Sequence, residues 1–138
     1  MDKITGACLC KSVKYTINGP IKAVANCHCN MCKKMTGAAF ATFAIVAEES
    51  LEITQGEKEL SAYVVTDNVT KSFCRSCGTP LFHVHKKYPG NRMLPIGALD
   101  DPTAVTPAIN IYCESMLPWV KELAGLSSFD QGYTKQGA

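Results

Sequence analysis

Three cysteines fall within six positions in Asn26-Cys27-His28-Cys29-Asn30-Met31-Cys32, spaced C-x-C-x2-C. Thiolates are soft donors that suit zinc, and a structural zinc takes four ligands in a tetrahedron. This loop offers three. A zinc held by three cysteines keeps one coordination position for water or substrate, so Cys27, Cys29 and Cys32 are the candidate catalytic metal ligands. Three thiolates give such a centre net negative charge and make it a weaker Lewis acid than a histidine-bound zinc. That favours chemistry on thiols over hydrolysis by bound water.

Two closer pairs accompany the triplet, Cys8/Cys10 and Cys74/Cys77. Zinc sites are commonly assembled from such pairs brought together by the fold. Keeping the triplet together leaves the two pairs to form a closed four-cysteine site, which staples the N-terminal turn to a knuckle far downstream. Zinc binding worth about 10 kcal/mol or more is linked to folding at a site of this kind. Spacing alone also permits a site made of Cys8, Cys10, Cys27 and Cys29.

The opening residues, Met1-Asp2-Lys3-Ile4-Thr5-Gly6, hold no apolar run of the kind that directs export, so a cytoplasmic location is expected. Thiols stay reduced there, and the eight cysteines read as metal ligands instead of disulfides. No stretch approaches the ~18–20 apolar residues of a membrane span. A formal net charge of +2 and the lack of an aromatic–basic cluster give no footprint for nucleic acid or for an acidic membrane surface. The 138 residues suit a single domain, with a core over about 5–125 and a polar tail from Phe129.

The elements that must position these cysteines are short strands. Residues 12–17 alternate, with Val13, Tyr15 and Ile17 on one face. Asn18-Gly19-Pro20 turns the chain into a strand over 21–25 that delivers Cys27. After Cys32 one helical turn is expected, capped by Asn30 and stopped at Gly37. A strand follows over 39–47, Leu51-Glu52-Ile53 leads to Gly56, and further strands run over 60–65 and 69–73, the last feeding Cys74-Arg75-Ser76-Cys77-Gly78. Residues 80–85, 93–98 and 108–113 complete the strands. Only 118–123 looks helical, with Pro118 suited to a first turn. Frequent turns and little helix imply a mainly β domain.

Several motifs together resemble the glutathione-dependent formaldehyde-activating enzyme family. They are Gly6-x-Cys8-x-Cys10, Val13-x-Tyr15 and Cys27-His28-Cys29-x-x-Cys32-x-Lys34-x-x-Gly37-Ala38. Phe73-Cys74-x-x-Cys77-Gly78-x-Pro80-Leu81-Phe82, Gly97-x-Leu99-Asp100-Asp101-Pro102 and Pro118-Trp119 extend the resemblance over most of the chain. It reaches the centromere protein V type of domain as well. The resemblance implies a β-tent of small antiparallel sheets with zinc knuckles and two zinc ions per chain. A structural ion would sit on Cys8, Cys10, Cys74 and Cys77, and a catalytic ion on Cys27, Cys29 and Cys32. Two departures stand out. Lys11 replaces the glycine usual in the family, so the turn there is expected to avoid positive φ. Lys33-Lys34 stands where Arg-Lys is common.

The function expected from both lines is a zinc-dependent carbon–sulfur lyase or synthase acting on adducts of a small, glutathione-like thiol with an aldehyde. The alternatives are a hydrolase using zinc-bound water, or a non-catalytic zinc module binding thiols, protein or nucleic acid. A closed triplet site would need His28, His83, His85 or Cys113 as a fourth ligand. Alternation turns His28 away from Cys27 and Cys29 toward packing. His83 and His85 share a strand face, roughly 7 Å apart, and read either as cleft-lining or as half-exposed sheet residues. Cys113 continues the Ile109/Ile111 face and is expected to pack as a small apolar residue. Trp119 reads as a core or interface anchor, and Asp100-Asp101-Pro102 as a turn. Lys33, Lys34, Lys86, Lys87 and Arg92 are either a carboxylate-binding patch or a solvated face.

Overall fold

The computed structural model describes residues 3–133; the end of the polar tail, 134–138, and the first two residues lie outside them. The domain is mainly β, as the alternation requires. A three-stranded sheet joins β1 (Ile4–Ala7), β2 (Lys14–Ile17) and β5 (Leu51–Gln55) in the order β1-β2-β5. The second sheet has seven strands: β3 (Ala23–Cys27), β4 (Ala41–Ala47), β6 (Leu60–Val64), β7 (Val69–Cys74), β8 (Pro80–His85), β9 (Asn91–Pro95) and β10 (Ile109–Ile111). They run in the order β10-β3-β4-β9-β8-β7-β6, and every neighbouring pair is antiparallel except β10 with β3.

The period of two in β4 divides the interior into two apolar regions. Ala44 and Val46 are fully buried, and Val46 packs in a core with Tyr15, Ile17, Leu81 and Leu94. Phe43, on the opposite face, joins Ala25, Cys27, Cys32, Ala41 and Met93 in a second cluster. The first region holds Cys8 and Cys74, the second the cysteine triplet. Gly6 pairs with Tyr15 across β1 and β2. A Cβ at position 6 would lie 2.2 Å from the Tyr15 ring, so this close approach needs glycine.

Several elements depart from the sequence-based expectation. The segment before Cys8 forms strand β1; four residues ending in Gly-Ala carry little alternation, and pairing with β2 creates the strand. The helix α1 (Asn30–Thr36) is capped by Cys29 and not by Asn30: the Cys29 sulfur accepts the Cys32 N–H at 3.2 Å. It ends at Gly37, as expected. β9 stops at Pro95 and the chain passes into a 3-10 turn over Ile96–Ala98. β10 stops at Ile111 because Tyr112 takes a left-handed conformation with φ 56, which starts a 3-10 turn over Cys113–Ser115. The strand phase is broken there, and Cys113 is exposed instead of packed. Pro118–Gly125 is a 3-10 segment with no buried residue, so Trp119, 47% exposed, is no core anchor of this chain.

Candidate metal centres and cleft

The first cysteine group is built by two turns of similar form. After β1 the Lys11 N–H returns to the Cys8 carbonyl at 3.0 Å, and after β7 the Gly78 N–H returns to the Cys74 carbonyl at 2.8 Å. Gly78 has φ 79 and Lys11 has φ 65. The turn at Lys11 therefore does not avoid positive φ, contrary to the expectation; the returning hydrogen bond holds a lysine in the conformation that suits glycine. The Leu9 N–H donates to Thr79 Oγ1 at 3.0 Å and ties the two turns together.

The sulfurs of Cys8, Cys10, Cys74 and Cys77 lie within 4.8 Å of one another. Four sulfurs set about 2.3 Å from a common tetrahedral centre are about 3.8 Å apart. The Cys8–Cys10 separation is 3.6 Å and the Cys10–Cys74 separation 3.8 Å. These distances exceed a disulfide's, and all eight cysteines are free. The donor set and spacing fit a tetrahedral metal ion. At Cys77 and Cys74 neighbouring groups favour the thiolate: a hydrogen bond with Thr79 Oγ1, at 3.2 Å, leads the causes that bring Cys77 down to about 5. Ser12 does the same in direction for Cys74.

The second group sits where β3 meets α1. Cys27 closes the strand, Cys29 caps the helix and Cys32 lies one turn in, so three thiols converge over a six-residue span. Their sulfurs also lie within 4.8 Å of one another, and no histidine, carboxylate or further cysteine joins them among the described residues. The Cys32 thiol donates to the Cys27 sulfur at 3.1 Å, which lowers Cys27 to about 6 and pushes Cys32 up. Cys27 and Cys29 are 3.4 Å apart. This donor set is soft and three-fold, and could hold a metal ion with a position to spare.

His28 is turned away, as its place between two cluster residues predicts. It is buried, its Nε2 lies 3.2 Å from Asn110 Oδ1, and its ring packs on Phe40 at 4.9 Å. The Asn110 oxygen also accepts from Asn26, and Asn26 accepts from Thr42. This chain of polar contacts ties β10, β3 and β4 behind the triplet.

In front of the triplet lies a cleft of about 410 Å³. Cys27, Cys29 and Cys32 form one wall, and His83 and His85 another. The histidines reach it because β8 carries a bulge: Phe73 pairs with Pro80 and Ser72 with Phe82, leaving Leu81 as the extra residue. Leu81 sits in the main core while His83 and His85 face the cleft. The cleft-lining reading of the two histidines thus holds. Burial pushes His83 down to about 4, with His85 nearby adding to the effect, and its ring meets Phe43 edge-on at 5.3 Å. Sequence patterning missed Tyr88 and Tyr112, which also line the cleft; both sit on turns, where periodicity carries no signal.

The basic residues do not gather into one patch. Lys33 donates to the Ser115 carbonyl and to Asn30, and Arg92 pairs with Glu48 at 2.9 Å. Lys34, Lys86 and Lys87 are exposed. Asp101 caps a 3-10 turn through the Thr103 N–H, and Asp100 accepts from Thr5 at 2.6 Å, so this segment is a turn.

Fold and site define a class: a mainly β protein with two separate cysteine clusters, one joining distant turns and the other opening on a cleft. The family model described as glutathione-dependent formaldehyde-activating enzyme matches residues 3–115, and the chain belongs to that family. A protein of Aspergillus terreus named for the same family is 33% identical over 79 residues, covering 54% of this chain. The chain spans only 40% of that relative's length. A crystal structure of a Rhodobacter sphaeroides protein shares the fold, with a TM-score of 0.60 at 21% identity over 77% of this chain and 98% of the other. No helix among the described residues is long and apolar enough to cross a membrane.

Proposed function

We propose that the protein joins a small thiol to an aldehyde, or splits the adduct, at a zinc ion held by Cys27, Cys29 and Cys32, while Cys8, Cys10, Cys74 and Cys77 hold a structural zinc. The observation that carries this reading is the three-sulfur group opening on a cleft with no fourth protein donor beside it among the described residues. Bound zinc supplies a coordination position at which a small thiol is held as its thiolate at neutral pH. In the forward direction the thiol sulfur bonds to the carbonyl carbon as the carbonyl π bond opens, and the oxygen takes up one proton, replacing the one the thiol released, to give an S-hydroxyalkyl adduct; the reverse direction breaks the carbon–sulfur bond and restores carbonyl and thiol. The family description names glutathione and formaldehyde, and both belong to these substrate classes.

The chain's own residues do the positioning. The Cys32 N–H fixes the Cys29 sulfur at the helix start, so the cluster is set by backbone and not by flexible side chains alone. The Asn110–His28 contact fixes the loop from behind. His83 stays neutral across physiological pH, which leaves its ring able to accept or donate one hydrogen bond at the cleft wall. Free thiols in both clusters suit a reducing compartment, which supports a cytoplasmic location.

Cobalt substitution followed by glutathione titration tests the reading. Growth of thiolate-to-metal absorption is expected as the thiol enters the first shell. The adduct with formaldehyde should then form faster than it does spontaneously, and the gain should vanish in Cys29→Ser. A spectrum indifferent to all small thiols removes thiol activation.

A further inference from the structure

The wall chemistry of the cleft bears on which thiol enters it. Met31, Phe43, Ile45, Met93 and Ile111 line it around the triplet, and among the described residues no lysine, arginine, aspartate or glutamate does. Glutathione carries two carboxylates and an ammonium group, and charges moved beside such walls lose hydration without a partner. The basic residues nearest in sequence are engaged or solvated. Lys33 is bonded to Ser115 and Asn30, and Arg92 lies on Glu48 and over the Phe82 ring at 5.5 Å. Lys86 and Lys87 are exposed on the turn between His85 and Tyr88.

The polar groups in the wall are already engaged. Asn91 accepts from Lys22 at 2.6 Å and donates to the Tyr88 carbonyl at 3.2 Å. His83 packs edge-on against Phe43. His85 packs on Tyr88 at 5.0 Å, and its Nδ1 accepts the Lys87 N–H at 3.2 Å. Both present aromatic surface, as do Tyr88 and Tyr112. A cavity of about 150 Å³ accommodates benzene, so 410 Å³ has room for a phenyl group and a small aldehyde together.

We infer that the cleft beside Cys27, Cys29 and Cys32 selects a neutral thiol with an apolar, aromatic-sized substituent over glutathione. This rests on the thiol reading above and narrows it: the sulfur sits at the triplet and the substituent lies against Phe43, Met93 and Ile111. Apolar burial then contributes to binding in proportion to the surface removed from water.

The test is titration of the cobalt-substituted full chain with 2-phenylethanethiol, ethanethiol and glutathione, each corrected for its thiolate fraction. The absorption of the cobalt–thiolate pair reads binding without turnover. Apparent affinity for 2-phenylethanethiol is expected to exceed that for glutathione by about tenfold or more, with ethanethiol weaker than its phenyl analogue. Met31→Lys, which adds a cation to the wall, should narrow or reverse the ratio. Glutathione binding as tightly as the phenyl thiol overturns the inference and leaves the thiol reading standing. A ratio that Met31→Lys leaves unchanged overturns the cleft as its source. Silence toward all three thiols sinks both together.

Discussion

Cys29 illustrates how much one side chain does in this site. It caps α1 through the Cys32 N–H, belongs to the three-sulfur cluster and forms part of the cleft wall. Serine is a good helix cap but a poor zinc ligand. Cys29→Ser is therefore expected to keep the fold, with an unchanged far-ultraviolet circular dichroism spectrum, while metal content falls by one ion per chain and activity is lost. Retention of both ions would rule Cys29 out as a ligand. His83 gives a second prediction at this scale. Its folded value near 4 lies below the ordinary 6.5, so between these pH values the unfolded chain binds a proton that the folded chain does not. Stability contributed by neutral His83 is full above about pH 6.5, declines as pH falls through that value and stops declining below about 4. Between pH 7 and 5 the loss should be roughly 2 kcal/mol. Denaturant midpoints at the two pH values should differ less in His83→Gln than in the parent protein. The cysteines titrate in both, so the difference between the two proteins reads His83.

At the scale of elements, the two cysteine turns make an instructive pair. Both bring a positive-φ residue to the same place, Gly78 in one and Lys11 in the other. A side chain in this region costs about 1 kcal/mol or more, partly offset by glycine's greater freedom in the unfolded chain. Lys11→Gly should therefore raise stability by about 0.5 kcal/mol, measured by denaturant unfolding of the metal-loaded protein. A decrease would mean that the lysine side chain contributes more than its backbone conformation costs. The β8 bulge is the other decisive element. It places Leu81 in the main core and the two histidines in the cleft, so a single extra residue sets the character of one cleft wall.

Over the whole molecule, the Cys8/Cys10 turn and the Cys74/Cys77 turn join the small sheet to the large one, across about half the chain. Loss of a metal that spans such a distance belongs with the largest single-residue effects, about 4 kcal/mol and above. Cys74→Ser should accordingly lower Tm by more than about 10 °C. A Tm within two or three degrees of the parent's would refute the staple, two or three being about the size of an ordinary surface effect. Graded chelation separates the two clusters. The three-cysteine ion should leave first while the fold persists, and the four-cysteine ion should leave with unfolding. Element analysis followed alongside circular dichroism reads the order, and simultaneous release would argue that the sites are equivalent.

Sequence by itself determined the local features: three cysteine groups, a mainly β chain and the turn at Gly37 that ends α1. These depend on spacing along one loop or on a period of two, and neighbours in sequence remain neighbours in any fold. Local spacing favoured the four-plus-three arrangement but did not fix which groups share a site, since it also permitted Cys8/Cys10 with Cys27/Cys29. Tertiary structure decided that their sulfurs meet those of Cys74 and Cys77, because strand order and register bring the end of β1 to the end of β7. It also decided the parallel pairing of β10 with β3 and the outward position of Cys113. Strand order and register are sums of many weak contacts between distant segments, and a left-handed residue such as Tyr112 is stabilised by its surroundings instead of its own type. No short stretch of sequence contains either of them.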